Sequence, residues 1–501
     1  MRRFLVEGME ITRVRLQSRI ESAAALATAL LVALGAAPAP AASAAASPEV
    51  VATQLRDAAS AGHDIAYAWV SELTTRFGPR PSGSANEQAA AEWAVARLKA
   101  LGFENVHLEP FPVTAWVRGS ESGELLAPSR QPLVVAALGE SPPTPPGGIE
   151  GDVVAFATLA QLEAAAAGSL AGKIAFVSAR MVRMQDGAGY GPAVAARIEG
   201  PAAAARAGAS AFLMRSAGTD SHRVAHTGTT AYVGGHVALP AFALSAPDAE
   251  QLERIAALGQ VPRVHLFSAA SYVPDAHSQN VIAEVRGSGK PEEFVLLGAH
   301  LDSWDQGTGA VDDGAGTAII VAAAKLIRDL PHRPHRTVRV VLFGSEEPAQ
   351  PGPPGGAFGG HDYAQRHQAE LARHVLAGES DLGADRVYAF GLPPAVQSGA
   401  FGQAALRVLG PLGILAETHP LRDAGTDVGP SVEAGVPALV LNQDATHYFD
   451  LHHTADDTLD KIDRVQLDQN VAAWAALVWL AADSEVNFRD PGAATAPARG
   501  Q

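Results

Sequence analysis

One histidine and four aspartates fall within nineteen residues of this sequence, in GAHLDSWDQGTGAVDDGAG at positions 298–316. The segment follows the apolar run FVLL, and most of its other residues are glycines or small side chains. Imidazole and carboxylate groups gathered in this way occur in solvated loops and in metal sites built from His, Asp and Glu. The rest of the chain decides between the two, because a metal site needs ligands from further segments.

Three further segments carry the same kinds of side chain. Two glutamates follow the apolar run VRVVLFGS, an aspartate lies in GESDLGA, and a histidine candidate lies in HHTADDT. Two histidines with several carboxylates are the ligand chemistry of a catalytic zinc site that keeps an open position. The candidate residues are His300, Asp312, Glu346, Glu347, Asp381 and His453.

Each segment also has a purely structural interpretation. His300 with Asp302 could form a capped turn, and Asp312 with Asp313 could cap the helix that follows. Residues two apart on an extended backbone point the same way, however, so Asp302 is placed to orient the imidazole of His300. One aspartate can cap the helix while the other faces a metal. Singly these segments are ambiguous, and their joint occurrence after predicted strands favours a metal site.

The adjacent pair Glu346 and Glu347 is the hardest feature to explain structurally. Two neighbouring carboxylates after an apolar run repel one another, and a cation or protonation must relieve that repulsion. A pair also allows a division of roles, with one carboxylate as a ligand and the other as a free base.

The elements that must position these residues alternate between apolar strands and helices. NVIAEVRG, FVLLGAH, TVRVVLFGSEE and PALVLNQD are predicted strands, while TAIIVAAAKLIRDL and DQNVAAWAALVWLAAD are predicted helices. Continuous apolar strands are typical of sheets that are buried on both faces. We therefore predict an α/β fold with a mostly parallel sheet and helices on both faces. Ligands of such sheets bind beyond the carboxyl ends of the strands, where the candidate residues lie.

The N-terminal part contributes helices and one strand to the same predicted domain. Residues 49–73 are predicted to be helical. Ser84 and Glu87 form a capping-box pattern, and the helix that they begin is expected to stop at Gly102. The alternating stretch 105–113 predicts a strand.

Residues 117–272 differ from their surroundings in sequence pattern. We predict that they form a second, smaller α/β module inserted into the first. Short apolar strands alternate there with alanine-rich segments such as GPAAAARAGA. His222, His226 and His236 are scattered without carboxylates at ligand spacing, so we do not expect them to bind a metal. The predicted organisation is a signal peptide at 1–45, a catalytic domain at 48–116 and 273–490, the insertion at 117–272, and a disordered tail at 491–501.

Composition excludes several classes of function. The 501 residues carry a formal net charge of −16, which argues against nucleic acid as a partner. The sequence has no cysteine, so neither a thiol nucleophile nor a thiolate metal site is available. Basic residues precede the apolar segment AAALATALLVALGAA and a small-residue stretch, which predicts a signal peptide and a secreted or periplasmic protein. An uncleaved anchor is the alternative; no membrane association is expected after cleavage.

HLDSWD…GAVDDGAG, GSEE, ESD and HHT..DT, in this order and spacing, resemble the secreted co-catalytic zinc exopeptidases, in particular the carboxypeptidase Q family and its bacterial members. The likeness extends from about Asp64 to Asp483. It includes AHTGTTAYVGG, which is similar to the protease-associated domain inserted in that family. The resemblance implies a homodimeric enzyme that hydrolyses dipeptides or removes N-terminal residues from short peptides.

The resemblance also implies two zinc ions and a role for each candidate residue. Asp312 bridges the two ions; His300 and Asp381 complete the ligands of one ion, and Glu347 and His453 those of the other.

Glu346 is implied as the general base, and Asp302 supports the catalytic centre from behind His300. His452 is the alternative to its neighbour His453. Tyr448 and His447 lie nearby and are candidates for contact with substrate.

One segment departs from the family pattern. PAQPGPPGGAFGG after Glu347 is longer and richer in proline than expected, which puts the substrate preference in doubt but not the metals.

Two other functions remain open on the same scaffold. A glutaminyl cyclase-like transferase needs one zinc, and the full ligand set argues against it. A non-catalytic binding protein has no need of a spare base such as Glu346.

Overall fold

A computed structural model describes residues 47–62, 64–232, 237–352, 355–419 and 424–489. The predicted signal peptide at 1–45, the predicted tail at 491–501 and His236 lie outside the described residues. Among the described helices, none is long and apolar enough to cross a membrane.

The strands of the described chain fall into three sheets. They are β1 (Glu104–Val117), β2 (Glu121–Ala127), β3 (Gln131–Leu133), β4 (Val135–Ala137), β5 (Ile149–Phe156), β6 (Ile174–Val177), β7 (Ala211–Arg215), β8 (Ala241–Leu244), β9 (Arg263–Ser268), β10 (Ser271–Val285), β11 (Lys290–His300), β12 (Arg336–Phe343), β13 (His374–Glu379), β14 (Val387–Gly391), β15 (Leu415–Ala416) and β16 (Val440–Gln443).

The helices pack around these sheets. They are α1 (Pro48–Ser60), α2 (Ile65–Phe77), α3 (Ala85–Ala100), α4 (Leu159–Glu163), α5 (Tyr190–Arg206), α6 (Ala246–Ala257), α7 (Ala315–Arg328), α8 (Phe358–Arg366), α9 (Pro394–Gln397), α10 (Ala400–Leu409), α11 (Gly429–Glu433) and α12 (Arg464–Ala482).

The central sheet has five strands in the order β1-β10-β12-β11-β13. β11 pairs in parallel with β12 and β13, whereas β10 pairs antiparallel with β1 and β12. The expectation of a mostly parallel sheet was therefore wrong, and the sheet is mixed. The insertion accounts for the antiparallel pairing of β10 with β1. The chain leaves the sheet at Val117 and returns at Ser271, and these two residues are partners in the β1–β10 ladder. Strands on either side of an excursion that returns to its starting point run antiparallel.

Helices cover both faces of this sheet, as predicted. Successive residues of β11 enter different cores, because side chains alternate between the faces of a strand. Val295 and Leu297 pack with α7 and α12, while Leu296 packs with Tyr363 of α8 on the other face. Both faces are closed to water, which explains the continuous apolar runs in the sequence.

The segment between β1 and β10 builds its own sheet of eight strands, in the order β3-β2-β9-β5-β6-β7-β8-β4. Its middle strands β5, β6, β7 and β8 are parallel, and the pairings of β2, β9 and β4 are antiparallel. The sheet has two cores of its own, which include Leu213 on one face and Phe212 on the other. The strands run from Glu121 to Ser268; the domain limits 117 and 272 stay a prediction.

The N-terminal helices differ from expectation in one place. A single helix over 49–73 was expected, but the chain forms α1 and α2 with a break at Gly62, whose φ of 88° ends a helix. The capping-box pattern does begin α3, since Ser84 Oγ accepts from Glu87 N at 3.1 Å. The Glu87 carboxylate accepts from Gly83 N rather than from Ser84 N.

Candidate metal centre

The candidate residues converge because three strands end at one edge of the central sheet. β11 ends at His300, and the parallel strands β12 and β13 end shortly before Glu346 and Asp381. His453 reaches the same edge from the loop between β16 and α12. Parallel register places the carboxyl ends of these strands side by side, as the sequence predicted.

Asp312 lies at the middle of the cluster. Its Oδ1 is 3.1 Å from His300 Nε2, which in turn is 3.3 Å from Asp381 Oδ1. Its Oδ2 is 3.3 Å from His453 Nε2, which is 3.0 Å from Glu347 Oε2. The two oxygens of one carboxylate thus face two separate sets of metal-type groups.

This donor set fits metal cations. Asp312 Oδ2 and Glu347 Oε1 are buried without a hydrogen-bond partner, and such groups are costly in a folded protein unless something compensates them. Burial and the neighbouring carboxylates Asp312 and Glu346 raise the pKa of Glu347 well above its usual range. Burial, with Asp381 and Asp302 nearby, raises the pKa of Glu346 to about 8. Cations would relieve this crowding of negative groups.

His453 is better placed than its neighbour to complete the cluster. His452 Nε2 is 3.6 Å from Asp312 Oδ2, and the two imidazole rings are stacked with centroids 3.5 Å apart. His453 Nε2 approaches both Asp312 and Glu347, whereas His452 Nδ1 has no hydrogen-bond partner among the described residues. The ligand chemistry therefore favours His453, and His452 stays within reach of Asp312.

Asp302 supports the centre in a different way from the one expected. The ring of His300 is held by the backbone carbonyl of Asp302, 3.0 Å from Nδ1, while the carboxylate oxygen Oδ1 is 3.8 Å away. The carboxylate instead accepts from the backbone N–H groups of Glu346 and Glu347 at 3.1 and 3.3 Å. Asp302 thereby fixes the histidine and the glutamate pair to each other.

The Asp312–Asp313 pair divides its roles. Asp313 Oδ1 accepts from Gly316 N at 2.9 Å in the first turn of α7, and its other oxygen accepts from His300 N. Asp313 is therefore the capping residue, and Asp312 faces the cluster. The peptide bond between them is cis. Asp457 fixes the preceding backbone, since it accepts from the N–H groups of residues 310, 311 and 312.

A cavity of about 420 Å³ opens over the cluster. Tyr448 lines it, as expected for a residue that could contact substrate. His447 does not line this cavity; it is exposed, and its Nδ1 lies 3.4 Å from Asp450. The proline-rich segment after Glu347 does border the cavity, through Gly356 and Ala357.

The loop between β16 and α12 carries His452 and His453 and is called the histidine loop below. Sequence reasoning missed residues of the insertion that reach this loop or the cavity. Tyr190, Arg197 and Thr229 line the cavity. His226, which we expected to be an ordinary loop residue, is buried with its Nδ1 2.8 Å from the carbonyl oxygen of His452. No local pattern marks these residues, because their contacts join distant segments; those of Arg197 with His453 and of His226 with His452 span more than two hundred positions.

Comparisons with known proteins show which proteins this chain is similar to. The profile of Peptidase family M28 matches residues 280–478. Carboxypeptidase Q of Mus musculus is 35% identical over 419 residues, which cover 84% of this chain and 86% of that protein. The Bos taurus carboxypeptidase Q is 36% identical over 420 residues, with 84% and 85% covered.

Solved structures extend the comparison. A Peptidase M28 precursor from Shewanella amazonensis SB2B superposes with a TM-score of 0.84 at 44% identity, covering 88% of this chain and 98% of that one. A zinc aminopeptidase from Bacillus subtilis shares the fold, with a TM-score of 0.59 at 21% identity over 84% and 95% of the two chains. The fold, the ligand cluster and these relatives define a metallo-exopeptidase. The chain belongs to peptidase family M28, and its substrates are peptides.

Proposed function

We propose that this protein is an exported exopeptidase that uses two zinc ions to hydrolyse dipeptides or remove N-terminal residues from short peptides. The observation that carries the proposal is the position of Asp312, whose two oxygens face different histidines. A carboxylate shared in this way suits two cations, and one ion would leave half of the cluster uncompensated.

The ligands divide between the ions by proximity. His300 and Asp381 would hold one ion, and Glu347 and His453 the other, with Asp312 shared. When bound, zinc supplies Lewis acidity, which polarises a peptide carbonyl and acidifies water.

Glu346 is the proposed general base. It lines the cavity, is partly exposed, and its backbone is fixed by Asp302. From this position its carboxylate takes a proton from the attacking water and delivers it to the leaving amine. Because the same carboxylate takes the proton from water and delivers it to the amine, a single residue serves both steps of the reaction.

The remaining groups hold the substrate and exclude water. Asp381 borders the cavity at the proposed metal centre. The insertion, which we propose to be a protease-associated domain, lines another side of the cavity through Tyr190, Arg197 and Thr229. A cavity of about 420 Å³ suits a short peptide better than a folded protein.

The test is cleavage of a free dipeptide beside its N-acetylated and C-amidated forms, with metal analysis of the same zinc-reconstituted protein. We expect two zinc ions per chain, hydrolysis of the free form, and loss of hydrolysis on N-acetylation. Zinc binding without cleavage of any form would overturn the peptidase proposal and favour cyclisation or simple binding. One ion per chain would contradict the shared role of Asp312.

Export and assembly are tested separately. N-terminal sequencing of the exported protein should locate the mature N-terminus near position 45. Light scattering of purified protein should give the mass of a homodimer, and a monomer mass would reject that part of the proposal.

A further inference from the structure

Six arginine side chains are nearly fully buried among the described residues: Arg80, Arg118, Arg197, Arg215, Arg336 and Arg339. A buried guanidinium needs compensation from carboxylates or from several hydrogen-bond acceptors. Four of the six have a carboxylate oxygen within 3.1 Å. These ion pairs are Arg118–Asp305, Arg215–Glu250, Arg336–Glu293 and Arg339–Glu284.

Arg80 is compensated by carbonyl groups instead. It donates to four backbone oxygens, those of Gly78, Leu301, Thr308 and Gly309. The charge of each of these five arginines is therefore compensated by a carboxylate or by several carbonyl oxygens, although Nη1 of Arg215 is also buried without a hydrogen-bond partner.

Arg197 of α5 is the exception. Its Nη1 donates to one backbone oxygen, that of Thr227 at 3.2 Å, and lies 3.4 Å from His453 Nδ1. Its Nε is buried with no hydrogen-bond partner, and no carboxylate of the described residues pairs with it within 4.0 Å. Its guanidinium carbon lies 5.6 Å from the ring centre of Tyr190, which supports the side chain without neutralising its charge.

The chain keeps room for this side chain. A Cβ at Gly228 would lie 2.0 Å from Arg197 Nη1, so the glycine lets the guanidinium sit beside the histidine loop. Arg197 is only 5% exposed, yet it lines the cavity over the metal centre. A fixed, unpaired cation in a cavity wall is a site for an anionic group of a ligand.

Arg197 and the proposed ligand Asp381 contact different histidines of the cluster. Arg197 contacts His453, and Asp381 contacts His300. These two histidines approach different oxygens of Asp312, so Arg197 lies on the His453 side of the proposed metal centre, away from the proposed ligands His300 and Asp381. A short peptide with a free C-terminus carries the charge complementary to Arg197, a carboxylate.

We propose that Arg197 binds a carboxylate of the peptide substrate. The inference rests on the proposed function, because it takes the cavity to hold a short peptide across the metal centre. The carboxylate comes either from the C-terminus or from an acidic side chain beyond the scissile bond, and both offer the two oxygens that a guanidinium fork binds. The insertion then contributes the specificity of the enzyme, although it supplies none of the proposed metal ligands.

The experiment measures kcat and KM for Ala-Ala, Ala-Ala-amide and Ala-Glu-amide, with zinc content determined for every protein. The variants are Arg197→Gln and Arg197→Lys. Arg206→Gln is the matched control, since Arg206 ends the same helix and is exposed. Ala-Ala carries only the terminal carboxylate and Ala-Glu-amide only the side-chain carboxylate, so the pair distinguishes the two sources.

We expect the wild type to prefer one of the carboxylate substrates over Ala-Ala-amide. Arg197→Gln should lower kcat/KM for that substrate roughly 10- to 100-fold, mainly through KM, and change the amide less than about threefold. Arg197→Lys should keep part of the preference, because an ammonium group retains the charge but not the paired donors. Arg206→Gln should behave as wild type.

Other outcomes overturn the inference. The inference is rejected if the wild type shows no preference for either carboxylate substrate. It is also rejected if Arg197→Gln loses kcat/KM equally on all three substrates, which would indicate a structural role. If Arg197→Gln loses zinc because the contact with His453 is gone, Arg197→Lys is the deciding variant. An equal loss of kcat/KM on all three substrates in Arg197→Lys then rejects the inference. Failure of the wild type to cleave any of the three substrates would instead reject the proposed function.

Discussion

The two larger sheets contribute to the site in different ways. The five-stranded sheet brings together the proposed ligands and base, because His300, Glu346 and Asp381 follow the carboxyl ends of neighbouring strands. The eight-stranded sheet supplies none of these groups. Its loops instead hold the backbone of the histidine loop: Thr227 N donates to His453 O at 3.0 Å, and Thr219 N to Phe449 O at 3.0 Å.

This difference separates the proposed reacting groups from the elements that position them. The reacting groups come from one sheet and can be recognised in the sequence. The position of His453 and the far wall of the cavity depend on the other sheet. The inserted segment therefore does more than line the cavity, and we expect changes in either sheet to affect the proposed metal centre.

The largest expected effect comes from the residue shared by both proposed ions. Asp312→Asn should lower bound zinc below two ions per chain and reduce kcat/KM by about 10⁴-fold or more, since metal stabilisation of the reaction is worth several kcal/mol. Metal analysis and dipeptide hydrolysis measure the two effects. Asp329→Asn, an exposed aspartate at the end of α7, is the control. Two retained zinc ions in Asp312→Asn would contradict the shared role.

Glu346→Gln should separate binding from chemistry within the five-stranded sheet. We expect unchanged zinc content and a loss of turnover of roughly 10²- to 10⁴-fold, because the amide cannot accept the proton of the attacking water. Activity and metal content both close to wild type would reject Glu346 as the base. Loss of zinc would mean that Glu346 is a ligand.

Core truncations test whether the two sheets act as one unit. Leu297 of β11 and Leu213 of β7 are fully buried, and replacing either by alanine should lower the free energy of unfolding by about 2–5 kcal/mol. We expect both variants to release zinc at lower urea concentration, because the loops of the second sheet brace the histidine loop. If Leu213→Ala releases zinc only at the wild-type urea concentration, the sheets are independent and the comparison fails.

The smallest effect is expected from His226, which contacts the histidine loop from the inserted segment. His226→Leu removes the contact of Nδ1 with the carbonyl oxygen of His452 and should weaken zinc binding by roughly 10- to 100-fold, as changes behind a ligand do. A chelator competition measures the affinity. His222→Leu, on the exposed part of the same loop, should leave it unchanged. Equal zinc affinities of the two variants would mean that the central sheet alone positions His452 and His453.

The sequence predicted the central elements well, because their apolar periodicity is set by burial. FVLLGAH became β11 and TAIIVAAAKLIRDL became α7, with the candidate residues at the expected edge. The direction of strand pairing was harder. An apolar run is the same whether its neighbour is parallel or antiparallel, so the sequence could not reveal that β10 pairs antiparallel with β1 and β12. The break at Gly62 was missed because alanine-rich stretches on both sides favour helix.

What the sequence determined by itself is the chemical inventory: two kinds of metal-ligating side chain, an adjacent carboxylate pair, and no cysteine to compete with them. These follow from residue type and from spacing along single strands. Only the tertiary structure decided which groups meet across segments, such as Arg197 beside His453 and the carbonyl of Asp302 behind His300. Such contacts join distant segments with no repeating pattern, and the energy that selects them arises only when the two sheets pack together.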